Sequence, residues 1–434
     1  RVVELDPRNV GAHRRLVQLA LDQVDLDRAL TLSARALGSN PESLELRLLR
    51  AELEAKANNF LVAQELARSV LEADPGNISA RNLLTDLALA SGRLDAAESL
   101  NNEALQLDPG DEIALILRAR ILDGRGRREE AIASLEAYRQ ARSDRPAVLV
   151  LLALADLYLT QADLVTAEQR VNDAAQADPS ALSVTMIRLR LLGAQRRFDD
   201  ILGLLAQRSD DHPGQSPVLL LGAAILASTG QEGHLGEAAK LFERVVAGNP
   251  KNIDGHVGLA QVAYRRGEKE GAAQAYRQVL DLDPYHEKAL NDLAWILGVD
   301  LDKPQEALEL AGKGIARYPS NPHLFDTRGV LLEKLDRLAE ARGDLEKCLT
   351  LAANLPSTQA TALYHLGKVL IRQGEPEAGR QRLDQATELD RRHGIFSQAE
   401  RNEIEALIKS ASPDSASSGQ DEDTDVERTS RTPG

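Results

Sequence analysis

The sequence has little of what marks small secreted or metal-binding domains. A single cysteine, Cys348, occurs among 434 residues, which excludes an intramolecular disulfide framework and a zinc site built from several cysteines. Aromatic residues make up only 3% of the chain. No run of about 18 apolar residues is present, so the sequence predicts no membrane-spanning helix.

Positive charge is also in short supply. The 52 Lys and Arg residues face 67 Asp and Glu residues, which gives a formal net charge of -15. An excess of negative charge repels nucleic acid and anionic membranes. The composition therefore favours other proteins or peptides as partners and argues against nucleic acid.

Neither the beginning of the chain nor its single cysteine identifies the cellular compartment of the protein. Residues 1–9, RVVELDPRN, are typical of the end of a helix and do not begin with Met. We therefore expect an upstream part, and a targeting segment can belong to it. Cysteine usage does not separate cytoplasm from periplasm, so the localisation stays open between a cytoplasmic and a periplasmic or envelope-associated protein.

The most informative feature of the sequence is a series of regularly spaced prolines. Hydrophobic residues account for 43% and are mostly Ala, Leu, Val and Ile, which suit helices together with Glu, Arg and Gln. Eleven of the 17 prolines follow one another at intervals of 33 to 37 residues, and several of them come after Leu-Asp or Ala-Asp. They stand at positions 7, 41, 75, 109, 146, 179, 213, 250, 284, 319 and 356. A fixed period of this length indicates a repeat architecture.

Each period consists of two helical halves. In the segment 253–284, apolar residues follow the i, i+3, i+4 spacing on both sides of a break at Gly267. Pro284 ends the second half, because proline lacks an N–H donor and disfavours a helical residue before it. The pattern predicts helix, turn, helix, turn in every period.

Small residues recur where the two helices of a period would cross. Antiparallel helices approach to about 8–10 Å only where the side chains at the crossing are small. The first set is Ala51, Ala119, Ala155, Ala260, Ala294, Gly329 and Gly367, and the second is Ala29, Ala63, Ala97, Ala131, Ala167, Ala238, Ala272, Ala307 and Ala341.

These residues carry a resemblance to the tetratricopeptide repeat. LAQVAYRRG at 259–267 with AAQAY at 272–276, and LGKVLIRQG at 366–374, resemble its motif closely. The resemblance covers about residues 10–390 and implies an all-α fold, an α-solenoid (right-handed superhelix) of about eleven helix-turn-helix repeats of bacterial type. The sequence departs from the motif where Arg50, Arg118, Arg188 and Arg328 replace its leucine.

The resemblance implies the following organisation. Residues 1–9 end a truncated preceding repeat, 10–181 form repeats 1–5, 182–213 a degenerate repeat 6, and 214–391 repeats 7–11. Repeat 6 has Leu189 and Ile201 where small residues belong, which suggests a distorted joint between two sub-arrays. Ser397 and Glu400 form a capping-box pattern that opens a capping helix over 397–409. Residues 412–434 have no apolar periodicity and are predicted to be a disordered acidic tail.

No motif for catalysis or for cofactor binding is found. Gly312-Lys313-Gly314 lacks the upstream glycine of a phosphate-binding loop, and the eight histidines are scattered without metal-ligand spacing. Asn77-Ile-Ser79 matches a glycosylation sequon, which often occurs by chance. Cys348 falls where the repeat calls for a small buried residue and is interpreted as an inert core thiol. We expect neither an enzyme nor a cofactor or metal site.

The resemblance also implies a partner-binding groove. In the family, the first helix of each repeat lines the inner face with its second, fifth, ninth and twelfth positions. Trp295, the only tryptophan, is either an anchor in this groove or a core residue, since a large ring is useful in both places. The residues placed in the groove are Arg120, Asp156, Met186, Arg190, Gln261, Tyr264, Asn291, Trp295, Asp326, Glu333, Tyr364 and Lys368.

The expected function is a non-catalytic protein–protein interaction scaffold that binds peptides or protein segments in its groove. The last three units resemble those of large bacterial repeat proteins that organise envelope or polysaccharide-export assemblies. An alternative is the regulatory or substrate-recruiting arm of an enzyme whose catalytic domain lies outside this chain. The sequence names neither the partner nor the oligomeric state.

Overall fold

A computed structural model describes residues 2–22, 25–142, 146–206 and 216–411. The predicted acidic tail at 412–434 lies outside the described residues, as do residues 143–145 of the connection between repeats 4 and 5. Residues 207–215, where predicted repeat 6 passes into repeat 7, lie outside them too.

Every regular element in the described ranges is a helix, and none of these helices is long and apolar enough to cross a membrane. A π-helical segment, Ile296–Asp300, follows α18. The α-helices are α1 (Val2–Leu5), α2 (Val10–Asp22), α3 (Leu26–Ser39), α4 (Leu44–Lys56), α5 (Phe60–Ala73), α6 (Ile78–Ala90), α7 (Leu94–Leu107), α8 (Glu112–Gly124), α9 (Arg128–Ala141), α10 (Val148–Thr160), α11 (Leu164–Ala177), α12 (Leu182–Ala194), α13 (Phe198–Ala206), α14 (Ser216–Ser228), α15 (Glu232–Gly248), α16 (Ile253–Arg265), α17 (Lys269–Leu282), α18 (Glu287–Trp295), α19 (Pro304–Arg317), α20 (Pro322–Lys334), α21 (Leu338–Leu351), α22 (Pro356–Arg372), α23 (Pro376–His393) and α24 (Gln398–Ser410).

The helices pack as consecutive pairs, which confirms the predicted all-α solenoid. From α2 to α23, each even-numbered helix is the first of a pair and packs against the odd-numbered second helix that follows it. The chain divides into two compact units, Arg1–Pro250 (unit 1) and Lys251–Gly434 (unit 2). The division falls after the predicted repeat 7, whereas the sequence suggested a joint at repeat 6. There, Leu189 and Ile201 are fully buried as large core residues.

The Asp-Pro pairs form the turns that separate the repeats. The side chain of each Asp accepts a hydrogen bond from the backbone N–H two residues later, as at Asp74 (3.1 Å), Asp108 (2.8 Å) and Asp283 (3.0 Å). This is the turn that aspartate favours before a helix. Asn77 belongs to one of these turns. Its Oδ1 accepts from the N–H of Ala80 at 3.0 Å and so caps α6, a structural role that accounts for the asparagine of the sequon-like triplet.

The turn inside a repeat requires one residue with a left-handed backbone. Glycine fills this position in several repeats, as at Gly126 with φ 76°, but Ala162 and Arg196 fill it with φ 63° and 59°. A side chain is strained there because its Cβ approaches the following carbonyl oxygen.

The small residues lie at the helix crossings, as predicted. All nine alanines of the second set are completely buried. At the crossing of α22 and α23, a Cβ added to Gly367 would lie 2.7 Å from Leu383 Cδ2 and 3.1 Å from the carbonyl oxygen of Gly379. The close approach of these two helices therefore depends on the glycine.

Arginines at the leucine position of the motif make polar contacts with second helices. Arg328 donates from Nε and NH2 to the two carboxylate oxygens of Asp344 on α21, at 2.6 and 2.7 Å. Arg188 reaches Asn172 on α11 at 3.3 Å. At these two positions a hydrogen bond therefore takes the place of the apolar contact that leucine would make.

The period between Pro284 and Pro319 has one residue more than 34, and a π-helical turn absorbs it directly after Trp295. The π-helix is rare and occurs mostly as a single turn within an α-helix. The Lys334 ammonium donates to the carbonyl oxygens of Gly298 at 2.8 Å and Val299 at 3.2 Å. A Cβ at Gly298 would come within 1.9 Å of Leu331 Cδ2, so this turn requires glycine.

The last helix packs back on the preceding pair. Asp390 accepts from the backbone N–H of Ile395 (2.7 Å) and Phe396 (2.8 Å) and from Arg401 Nε (2.6 Å). Ser397 and Glu400 form the capping box of α24. Phe396 and Ile404 are buried in the same apolar cluster as residues of α22 and α23.

Candidate partner-binding grooves

A large groove lies in unit 1, and it is called the first groove below. It has a volume of about 970 Å³ and is lined by first helices alone, α4, α6, α8, α10 and α12. Ile113 and Leu149 on its floor are 43% and 45% exposed. The apolar part of the floor consists of Leu83, Ile113, Ile116, Leu117, Leu149, Leu152, Leu157, Met186 and Ile187.

Ion pairs between neighbouring repeats run along this groove. Arg120 pairs with Asp86, and Arg190 pairs with Asp156; the members of each pair occupy equivalent positions 34 residues apart. Three predicted groove residues, Arg120, Asp156 and Met186, line the first groove together. Arg190 joins them through Asp156 and itself lines a smaller neighbouring cavity.

Hydrogen-bond acceptors gather at the α4–α6 end of the first groove. Glu52, Ser79, Asn82 and Asp86 line this end. Asn82 is only 7% exposed, and its Nδ2 donates to Asp111 Oδ1 at 2.8 Å. Because a carboxylate can only accept, the amide nitrogen must face Asp111 and the oxygen must point the other way. Within the described ranges, Asn82 Oδ1 has no hydrogen-bond partner.

Glu52 adds negative charge at the same end. It forms no ion pair with any residue that the structure describes. The surrounding groove walls desolvate its carboxyl group and raise its pKa, against the attraction of Lys56 and Arg14. The sequence interpretation missed Glu52, Asn82 and Asp86, although the same position rule, applied to the second and third repeats, would have found them.

A smaller groove lies in unit 2, and it is called the second groove below. It has a volume of about 400 Å³ and brings together four predicted residues, Gln261, Tyr264, Asn291 and Trp295. Trp295 is half-buried, so its ring forms part of the wall and also packs against the protein. The other lining residues are Arg265, Tyr276, Lys288, Asp292 and Ile296.

Hydrogen bonds fix the walls of the second groove. The buried Tyr276 hydroxyl donates to Asp292 Oδ2 at 2.7 Å, and burial together with this carboxylate raises the pKa of Tyr276. Lys288 lies 3.1 Å from the same carboxylate. The Lys269 ammonium lies 3.4 Å from the centre of the Tyr264 ring, a cation–π contact. Side chains held in this way present their polar groups with little further loss of conformational entropy.

Asp326 and Glu333 form ion pairs and do not line the second groove. His365 Nδ1 lies 2.9 Å from Asp326 Oδ1, and the His365 ring centre is 6.4 Å from that of Trp295. Burial lowers the pKa of His365, but the Asp326 carboxylate outweighs burial and raises it above the ordinary value. Glu333 is buried and pairs with Arg372 at 3.3 Å.

The last two predicted residues lie beneath α24, so the expectation of an open groove at this repeat is not met. Tyr364 is only 7% exposed, and its ring centre is 5.9 Å from that of Phe396. Lys368 Nζ lies 3.2 Å from a carboxylate oxygen of Glu403 on α24. The reason is physical: the final pair has no following repeat, so the chain covers its apolar face with its own helix.

Among the described residues there is no cluster of His, Cys, Asp and Glu that could hold a metal ion. Cys348 is completely buried, and burial raises the pKa of its thiol to about 12. A thiol in this state is not nucleophilic at neutral pH.

The chain resembles known sequences over part of its length. Two models of the tetratricopeptide repeat match it, one over residues 14–78 and 230–287 and the other over residues 54–121 and 88–153. The type IV pilus assembly protein PilF of Pseudomonas aeruginosa is 26% identical over 129 residues, which are 29% of this chain and 51% of PilF. The chain thus spans about half the length of this curated relative.

Three solved structures are among those that align with the chain. The APC/C hetero-tetramer Cut9-Hcn1 covers 94% of this chain, which covers 85% of that chain, with 17% identity and a TM-score of 0.42. Yeast Tom70 covers 93% of this chain, which covers 95% of that chain, with 13% identity and a TM-score of 0.42. PilW, a type IV pilus biogenesis factor, covers 45% of this chain, which covers 86% of PilW, with 17% identity and a TM-score of 0.39.

Stacked helix pairs whose first helices line open grooves define a helical-repeat scaffold for protein–protein interaction. The chain contains tetratricopeptide repeats, as the two sequence models show for residues 14–153 and 230–287.

Proposed function

We propose that this chain is a non-catalytic scaffold that binds segments of partner proteins in the two grooves of its first helices. The observation that carries the proposal is the first groove, about 970 Å³ in volume, with the apolar side chains of Ile113 and Leu149 open to solvent. Covering such a floor is favourable by about 25 cal/mol per Å² of apolar surface. A concave surface with an apolar lining and a few polar groups is a common form of binding site.

We propose further that the assembly it serves belongs to a bacterial envelope. PilF, the matched relative, is described as a type IV pilus assembly protein, and this supports an assembly role of that kind. The last three repeats resemble those of large bacterial repeat proteins that organise envelope assemblies, and this supports the same proposal. Neither observation distinguishes a pilus from a polysaccharide-export assembly, so the proposal extends only to an envelope assembly.

The proposal is tested by capturing partners from the source cell on the full chain and on two matched variants. Ile113→Arg places a charge on the floor of the first groove, and Val165→Arg makes the same change on α11, outside the groove. Both original side chains are exposed, 43% and 71%, so folding should be unaffected. We expect Ile113→Arg to lose specific partners that Val165→Arg retains. If mass spectrometry finds the same partners on both variants, the first groove is not the binding surface.

Trp295→Ala tests the second groove in the same experiment. The ring is half-buried and contributes to a groove wall, so its removal should leave the helical circular dichroism signal intact and reduce capture of any partner anchored there. Loss of the helical signal would instead show that Trp295 is chiefly a core residue.

A further inference from the structure

The lining of the first groove has an apolar side and a charged edge. On the apolar side, α12 contributes Met186 and Ile187. At the equivalent positions of α8 and α10 stand six side chains that have no hydrogen-bonding atom. They are Ile113, Ile116 and Leu117 on α8, and Leu149, Leu152 and Ala153 on α10. The charged lining residues lie nearer the C-terminal ends of their helices.

The charges of this edge are neutralised within the chain. Glu52, the charged lining residue on α4, is attracted by the charges of Lys56 and Arg14. A partner therefore has no free charge to complement here, and the face that matches the groove in charge is an uncharged one. The remaining charged lining residues form three ion pairs, Arg120 with Asp86, Arg128 with Asp123, and Arg190 with Asp156.

An uncharged segment in an extended conformation would bury backbone groups against this apolar side. Each residue other than proline carries a backbone N–H and a C=O, and in a strand these groups point sideways, away from the chain. The apolar side chains of α8 and α10 cannot bond them. Each buried group left unpaired would weaken binding by about five- to a hundredfold. An α-helix avoids this loss, because its N–H groups bond to its own carbonyl oxygens.

The extent of the apolar side sets the length of such a helix. The first helices α6, α8, α10 and α12 pack against one another in sequence order. Packed helices are separated by about 8–10 Å, so three intervals span roughly 24–30 Å. At a rise of about 1.5 Å per residue, a helix of about 16–20 residues covers this distance.

We infer that the first groove binds an amphipathic α-helix of a partner protein, whose uncharged apolar face packs on Ile113, Ile116 and Leu149 and whose polar face meets solvent. This inference rests on the proposed function and adds the class of partner. A helix of this kind carries apolar residues at positions i, i+3, i+4 and i+7, and this spacing distinguishes it from an extended segment, in which every second residue faces the same side.

The test is selection of displayed random 18-residue peptides on the immobilised full chain. We expect the selected peptides to share large apolar residues at the helical spacing, with no charged residue among them. Their binding should be lost on the Ile113→Arg chain and retained on the Val165→Arg chain, which assigns it to the first groove. Circular dichroism of both variants checks that the helices of the chain are intact.

Fluorescence anisotropy of the best peptide then tests whether it binds as a helix. Proline at a central position of its polar face should weaken binding about a hundredfold, because proline breaks a helix, whereas alanine at the same position should leave binding unchanged. α-Aminoisobutyric acid at two positions of the polar face should tighten binding, since it favours a helical backbone. Raising the salt concentration from about 50 to about 500 mM should change the Kd less than about threefold, because no free charge is engaged.

Other outcomes overturn the inference in distinguishable ways. Peptides that need an intact Ile113 but carry alternating apolar residues and tolerate proline would refute the inference and leave the proposed function standing. Peptides that bind the Ile113→Arg chain equally well, or no selected peptides at all, would count against both. A dimer that Ile113→Arg abolishes in sedimentation velocity would show that a second copy occupies the groove, and the inference would be wrong.

Discussion

Ala162 shows how a single residue sets the strain of a turn. Its φ of 63° is left-handed, at the place where Gly126 serves one repeat earlier with φ 76°. In this conformation a residue with a Cβ lowers the stability of the folded state by about 1–2 kcal/mol relative to glycine. Glycine has more conformational freedom in the unfolded chain, which reduces this difference.

We therefore expect Ala162→Gly to raise the free energy of unfolding by about 0.5–1 kcal/mol. The reverse change, Gly126→Ala, should lower it by a similar amount, because nothing lies within 4 Å of the added Cβ and only backbone strain is introduced. Urea denaturation followed by circular dichroism measures both. A loss of stability in Ala162→Gly would show that the left-handed backbone is not the dominant effect.

At the scale of the element, Asp390 connects α23 and α24. Hydrogen bonds from Arg401 and from the backbone N–H groups of Phe396 and Ile395 lower the pKa of Asp390 from 3.8 to about 2. The folded state therefore binds a proton more weakly than the unfolded chain. The stabilisation is complete above the ordinary pKa and is lost as the pH falls from about 4 to about 2.

We expect Asp390→Asn to lower the stability of the C-terminal helices by about 1–2 kcal/mol near neutral pH, because it replaces charge-assisted hydrogen bonds by neutral ones. The difference from wild type should shrink as the pH falls through the window between about 4 and 2. Hydrogen exchange of α24 amides measures it locally. Glu388→Gln, which removes an exposed ion pair from α23, should have little effect. A difference for Asp390→Asn that does not depend on pH would contradict the account.

The elements themselves were largely predictable, because their signals are local. Proline and aspartate set the turns between repeats, and alanine or glycine set the crossings. The π-helical turn after Trp295 was not predicted, since the extra residue could equally have lengthened a loop. Lys334 and the contact of Gly298 with Leu331, which stabilise this turn, come from the next repeat.

At the scale of the whole molecule, the groove positions were only partly predictable. The position rule identifies which side of a first helix is available, and Gln261, Tyr264, Asn291 and Trp295 do line one groove. It does not determine what covers that side, as the burial of Tyr364 beneath α24 shows. Applied to repeats 4 and 5, the rule also selects Ile113 and Leu149, but it does not show that they share an apolar floor with Met186.

The overall charge leads to a final prediction about the class of partner. The net charge of -15 opposes approach of a polyanion, and the first groove, with its excess of acidic residues, offers no basic path for a phosphate backbone. Nucleic-acid binding gains most from counterion release at low salt, so about 50 mM salt is the most permissive condition for detecting it. We expect the full chain to leave the electrophoretic migration of single-stranded RNA unchanged there. A retarded band that disappears as salt is raised would mean that a local basic surface overrides the net charge, and the proposal of purely protein partners would then fail.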